Sequence, residues 1–274
     1  MLLPSVFAHA VGAAAPWPAA IATWGPGGAS ATHAHHAWHL VLALEGALRI
    51  VGSPVREHDK ANDGGESRRA RGDVQVRETS TAGGVVTRPD VPHAIDATGL
   101  PTVILFVDPE SEVGAGFATR FPDPITPLDQ DACASARGAL AIAGASDDAP
   151  AAIARTLEAL AVTPGRAPRH PRVRMLLAHL RGADAEADLS LEALARHVGL
   201  SPSRLLHIFS ADVGIPLRPY LRWLRLERAG AAIAGGASLA EAAHRAGFAD
   251  AAHMTRTFRE MFGTTPSEVR RRQS

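Results

Sequence analysis

The chain has 274 residues, of which 46% are hydrophobic and 20% charged, which excludes a disordered polymer and suits two ordinary globular domains. Its formal charge of zero hides an imbalance: residues 1–165 carry 11 basic and 18 acidic side chains, and residues 166–274 carry 17 and 10. An acidic unit joined to a basic one points to a polyanionic partner for the second half.

The amino-terminal stretch MLLPSVFAHAVGAAA is apolar but has no basic flank, and Pro4, Pro16, Pro18 and Pro26 interrupt any single membrane helix. It predicts an irregular or strand-like start to a cytoplasmic protein without a membrane segment. Cys133 is the only cysteine, so no intrachain disulfide forms, and its Ala-rich surroundings predict an inert, buried thiol. Up to about residue 125 short apolar runs alternate with Pro and Gly, a strand pattern; Glu45-Gly46 between two such runs reads as a hairpin turn. Residues 61–73 have no core-forming side chains and predict a solvated loop. Helix is expected over residues 127–161, and TPGRAPRHP (163–171) reads as a linker before an all-helical remainder.

Four of the nine residues in THAHHAWHL (32–40) are histidine. His33, His35 and His39 share strand parity and so one face, with His36 and Trp38 on the other. His93 follows a Pro-rich turn much later. Imidazoles converging in this way suit Zn, Ni, Cu or Fe(II). Without a metal they line an effector pocket by hydrogen bonding, and both readings stand.

The last 85 residues contain an internal duplication. Ser190, Leu191, Ala195 and Gly199 recur 48 residues later as Ser238, Leu239, Ala243 and Gly247, and Phe209 and Gly214 recur as Phe258 and Gly263. Each copy has a Ser N-cap, a small Ala where a second helix approaches, a turn Gly and a second helix with an apolar face. Those faces are Leu205, Ile208 and Phe209 in one copy, Met254, Thr257 and Phe258 in the other. The connector 216–235 reads as one helix that rises about 27 Å, comparable with the roughly 34 Å between major-groove faces on one side of DNA. Arg218, Arg222 and Arg225 recur along it and either meet phosphates or form a solvated face.

With GFADAAHMTRTFREMFGTTPSEVR, residues 171–272 resemble the AraC/XylS family of bacterial transcription regulators; Met254 stands where the signature usually has an aromatic residue. The resemblance implies that Ser203, Arg204, Leu206 and His207 of the first reading helix face DNA, with Ala251, Ala252, His253 and Arg256 of the second. Among the last four, Arg256 alone can make a bidentate contact to guanine. More loosely, HAHHAWHLVLALEG and PDVPH resemble a cupin over about residues 20–110, with His39 where a cupin's Glu would stand. This implies a metal or effector site made of His33, His35, His39 and His93.

The expectation is an α+β protein of two domains. A cupin-like sensor barrel (1–125) with a helical dimerisation region (126–162) and a linker (163–170) precedes an all-α double helix-turn-helix domain (171–274). The expected function is effector-controlled transcription regulation and not catalysis. Its expected partners are a double-stranded DNA operator, a small-molecule or divalent-metal effector, a second copy of the chain and RNA polymerase. A metal-dependent cupin enzyme with an accessory DNA-binding tail is the alternative. No Walker A loop, HExxH or GxSxG motif supports it.

Overall fold

A computed structural model describes residues 8–9, 20–52, 77–80, 83–144, 149–165, 169–183 and 187–268. The loop expected over 61–73 and most of the amino-terminal stretch lie outside them. In chain order the elements are β1 (Ala8–His9), β2 (Ala20–Pro26), β3 (Trp38–Ala43), β4 (Arg49–Gly52), β5 (Arg77–Ser80), β6 (Gly84–Thr87), β7 (His93–Asp96), β8 (Pro101–Val107), α1 (Glu112–Arg120), β9 (Ile125–Pro127), α2 (Gln130–Gly144), α3 (Ala149–Ala159), α4 (Pro171–Gly182), α5 (Leu191–His197), α6 (Pro202–Val213), α7 (Leu217–Ala234), α8 (Leu239–Arg245) and α9 (Ala251–Phe262). Apart from β9, which follows α1, strands therefore precede helices, the α+β arrangement expected.

Among the described residues all strand pairs are antiparallel and form two sheets, β1-β2-β8-β3-β6-β9 and β5-β4-β7. Isolated bridges at Ala29–Asp96 and His33–His93 lie outside the named strands. Among the described residues no ladder closes the sheets into one barrel, so the closed cupin barrel is replaced by two sheets. The Glu45-Gly46 turn is present, with Gly46 at φ +70°. Its flanking strands do not pair, however. β3 joins β6 and β8, whereas β4 joins β5 and β7, so the turn crosses between sheets and is not a hairpin.

This crossing places the histidines. Strand β3 is buried on both faces. Trp38, Leu40 and Leu42 pack on α1 and the α2–α3 pair through Phe117, Cys133, Leu140, Ile153 and Leu157. Val41 and Ala43 point the other way, onto Ile50 and Ile95 of the smaller sheet. His39, with their parity, lies on this inter-sheet side. Cys133 is buried as expected, its thiol donating toward the Leu128 carbonyl, and burial pushes that thiol up.

Helix α1 is an addition to the strand-only expectation. Ser111 caps it, accepting from the Gly114 N–H. Two glycines weaken its helical signal, but both are needed for close approach. A Cβ on Gly116 would stand 2.3 Å from the Thr163 carbonyl oxygen, and one on Gly114 2.2 Å from that of Asp108.

The carboxy-terminal helices form two clusters sharing α7. Val173, Leu176, Leu194, Leu205, Phe209 and Tyr220 build one; Leu226, Ala229, Ala242, Ala243 and Met254 build the other. Gly199 and Gly247 adopt φ +64° and +72° at the two turns, and Gly214 and Gly263 close the second helices in left-handed conformation. The capping box at α8 is complete: Ser238 Oγ accepts from the Glu241 N–H at 3.2 Å, and the Glu241 carboxylate accepts from the Ser238 N–H at 2.8 Å. Ser238→Ala should cost about 1 kcal/mol, read calorimetrically as a melting point roughly 2–4 °C lower. No helix among the described residues is long and apolar enough to cross a membrane.

Candidate metal centre and nucleic-acid interface

The structure gathers His33, His35, His39 and His93. All four are buried, and one ring nitrogen from each lies within 4.8 Å of the others. Parity separated them from His36 correctly, though only His39 belongs to β3. His33 and His35 sit on the preceding loop, where His33 bridges His93 at the start of β7 by backbone hydrogen bonds of 2.9 Å in both directions.

Two of the tautomers follow from chemistry. His33 Nδ1 lies 2.8 Å from the Ala31 carbonyl and His93 Nδ1 lies 2.8 Å from that of Val91. Carbonyls only accept, so both rings carry their proton on Nδ1 and present an Nε2 lone pair. His39 Nδ1 is 3.0 Å from His93 Nε2 and 3.3 Å from His35 Nε2. If His39 Nδ1 donates to His93, His35 Nε2 can only share that one proton in a weaker three-centre bond. If His35 donates to His39 instead, two lone pairs face each other across 3.0 Å. In either neutral arrangement the two contacts compete for a single proton. A cation removes the conflict, since every converging nitrogen then presents a lone pair. Bonds near 2 Å place tetrahedral donors about 3.3 Å apart, so the two shorter contacts already match.

Burial, the largest influence on each ring, pushes all four imidazoles below their ordinary value, and His93 down to about 4. The neutral ring is the form that ligates. Hydrogen bonds to backbone carbonyls on His33 and His93 orient their rings, as outer-shell partners of metal-bound histidines do. The donor set therefore fits Zn, Ni, Cu or Fe(II).

His36 serves a different purpose. Its Nδ1 donates to Asp90 at 2.7 Å and its Nε2 to Glu110 at 3.1 Å. Burial alone would lower it, but the two carboxylates raise it to about 10 and keep it charged. Glu110 also pairs with Arg169 at 3.7 Å, and Arg169 pairs with Asp212 at the end of α6 at 3.9 Å. Asp108 pairs with Arg181 of α4. The end of β8 is thus tied to the helical half by a partly buried ion-pair network, and Arg169, within the expected linker, takes part in it. Sequence reading missed Asp108, Glu110, Arg169 and Arg181; acids and arginines this far apart carry no spacing signal.

The candidate reading residues are largely on the surface. Ser203, Arg204, Leu206 and His207 of α6 are exposed, as are Ala252, His253 and Arg256 of α9; Ala251 is half-buried. The opposite faces are Leu205, Ile208 and Phe209, and Met254 and Thr257, all buried, with Phe258 half-buried. On α7, Arg218 and Arg222 are exposed, and Arg222 pairs with Glu260 of α9 at 3.7 Å.

Residues 194–272 match the family model described as a helix-turn-helix domain. Over 104 residues, 38% of this chain, the sequence is 30% identical to the arabinose operon regulatory protein of Escherichia coli, covering 36% of that protein. An HTH-type transcriptional regulator of Rhizobium meliloti, GlxA, is 32% identical over the same length, 32% of its own. The chain thus spans only about a third of the curated relatives it matches. These relatives are named as regulators, not enzymes. Across almost the whole chain the fold is similar to that of ToxT from Vibrio cholerae. The apo form of a ToxT variant gives a TM-score of 0.61 at 8% identity, covering 97% of this chain and all of that one. ToxT with a bound unsaturated fatty acid gives 0.56 at 8% identity, covering 91% and 94%.

Proposed function

We propose that the protein is a sequence-specific, DNA-binding transcription regulator acting in the cytoplasm, with a sensor in its amino-terminal half. The observation that carries this reading is the pair of exposed faces on α6 and α9, each backed by a buried apolar face and presented by a duplicated, capped helix pair. Residues 171–274 bind DNA, 163–170 join the halves, and 1–125 are the sensor, a cupin-type unit in two-sheet form. Residues 126–162 bury one side of α2 and α3 on their own sheet. The outward side of α2, with Ala134, Ser135 and Gly138 exposed, is left for a second copy. RNA polymerase is the partner through which bound protein changes transcription.

The effector reading is a divalent metal ion held by His33, His35, His39 and His93. A ToxT structure holds a fatty acid, which supports a sensing role for this fold, but four convergent neutral imidazoles favour a cation. When bound, the ion supplies a fixed cross-link between the His33–His35 loop, β3 and β7. Purified without a His-tag and reconstituted, the protein should hold about one ion per chain; below a tenth of an equivalent the metal reading fails.

DNA binding is tested by titrating full-length protein against duplex DNA at several salt concentrations. Affinity should fall steeply as phosphate-bound counterions are released. Arg256→Ala should cost about 1–3 kcal/mol on a selected site and relax the preference at one base pair. An unchanged affinity removes α9 as a reading helix, and salt-independent binding removes the DNA-binding assignment.

A further inference from the structure

The four-histidine cluster does not belong to the amino-terminal half alone. Trp223 of α7 stacks on His35, with ring centres 5.7 Å apart and planes inclined by 27°. Phe262, the last residue of α9, lies 5.8 Å from His35 and 5.6 Å from Phe106, which itself stacks on His39 at 4.6 Å. The next residue, Gly263, accepts a backbone hydrogen bond from the Ala31 N–H at 3.1 Å. A Cβ on Gly263 would fall 2.3 Å from the Ala31 oxygen and 2.9 Å from His33 Nδ1. The loop carrying two of the four imidazoles is therefore in direct contact with the connecting helix and with the end of the second reading helix.

We propose that this contact is a metal-gated latch: an ion held by the four histidines fixes the His33–His35 loop in the shape that docks Trp223, Phe262 and Gly263, so that occupancy sets the position of the second helix-turn-helix unit. The inference rests on the metal reading above and adds the element that the metal controls. Residues 34–37 lie outside any strand and ladder and are tied by the Asp90 N–H to the His35 carbonyl and by the His36 ion pairs; what the ion adds is a fixed place for the His33 and His35 rings. Coordination draws electron density from an imidazole and leaves the His35 ring partly cationic. The indole face is the best aromatic partner for such a ring, so metal strengthens the Trp223 contact. Docking leaves Arg204, His253 and Arg256 exposed. The latch thus fixes the reading faces without masking them. Two units held at one spacing bind adjacent grooves without first being ordered. Coupling is reciprocal, so whatever loosens the docked arrangement weakens metal binding by the same factor.

Hydrogen exchange on full-length protein with and without ZnCl₂ tests the latch, alongside metal analysis of the same samples. With about one zinc bound, the Ala31 amide and the last turn of α9 should exchange at least tenfold more slowly. Phe262→Ala, a change at a half-buried position, should keep the one-ion stoichiometry but weaken zinc binding about tenfold and abolish the added protection of α9. Zinc uptake that slows exchange only around His33, His39 and His93, with α9 unchanged and Phe262→Ala binding normally, overturns the latch and leaves the metal site standing. Failure to take up zinc removes the metal reading, and the latch with it.

Discussion

Glu110→Ala should destabilise the protein by about 3–5 kcal/mol, the loss expected when one partner of a buried ion pair is removed. The Glu110 side chain is only 2% exposed and serves two cations at once, accepting from His36 at 3.1 Å and pairing with Arg169 at 3.7 Å. Its own carboxyl, which burial would raise, is held low by the His36 hydrogen bond and charge. Deleting it leaves Asp90 as the remaining partner of His36 and Asp212 as that of Arg169. Since Arg169 joins the sheet region to α6, the two halves should also lose cooperativity. Calorimetry should show the main transition lowered by on the order of 10 °C and split into two. A single transition within about 2 °C of the parent would show that the network is solvated and holds nothing.

His93→Ala should weaken zinc binding by at least about 100-fold, beyond the 10–100-fold typical of losing an outer-shell partner alone. His93 is fully buried, its Nε2 faces His39, and its backbone bridges His33. The substitution therefore removes one donor and leaves the strand pairing in place. His207→Ala, on the exposed side of α6, is the control and should bind zinc normally. Zinc at about 100 times the parent's dissociation constant should stabilise the parent by about 2.7 kcal/mol and the His93→Ala protein by no more than about 0.4 kcal/mol. Equal stabilisation of both would move the metal away from the cluster.

Which parts of this were legible in the sequence follows from the range of the forces involved. The duplicated helices were readable because their signals are local: Ser190 and Ser238 cap, Gly199 and Gly247 turn, and Leu205 or Met254 faces inward, all within a few residues of one another. The histidine cluster was readable in membership, because parity separates His35 and His39 from His36, but its backbone was not. The strand begins only at Trp38. Helix α1 was hidden by Gly114 and Gly116, whose missing side chains serve contacts with Asp108 and Thr163. The hairpin expected at Glu45-Gly46 failed because turn chemistry fixes a reversal but not the partners of the strands on either side. Trp223 and Phe262 read as ordinary apolar helix positions. Nothing in their spacing points to His35, since that contact joins residues nearly two hundred positions apart.

The central claim is that two reading helices held by one α7 contact neighbouring turns of a duplex. Footprinting of full-length protein on a site selected from a random duplex pool tests it most directly. Two protected major-groove segments should appear on one face, about 10 base pairs apart, with Arg204→Ala weakening one and Arg256→Ala the other. One protected segment insensitive to Arg256→Ala, or none, would contradict it.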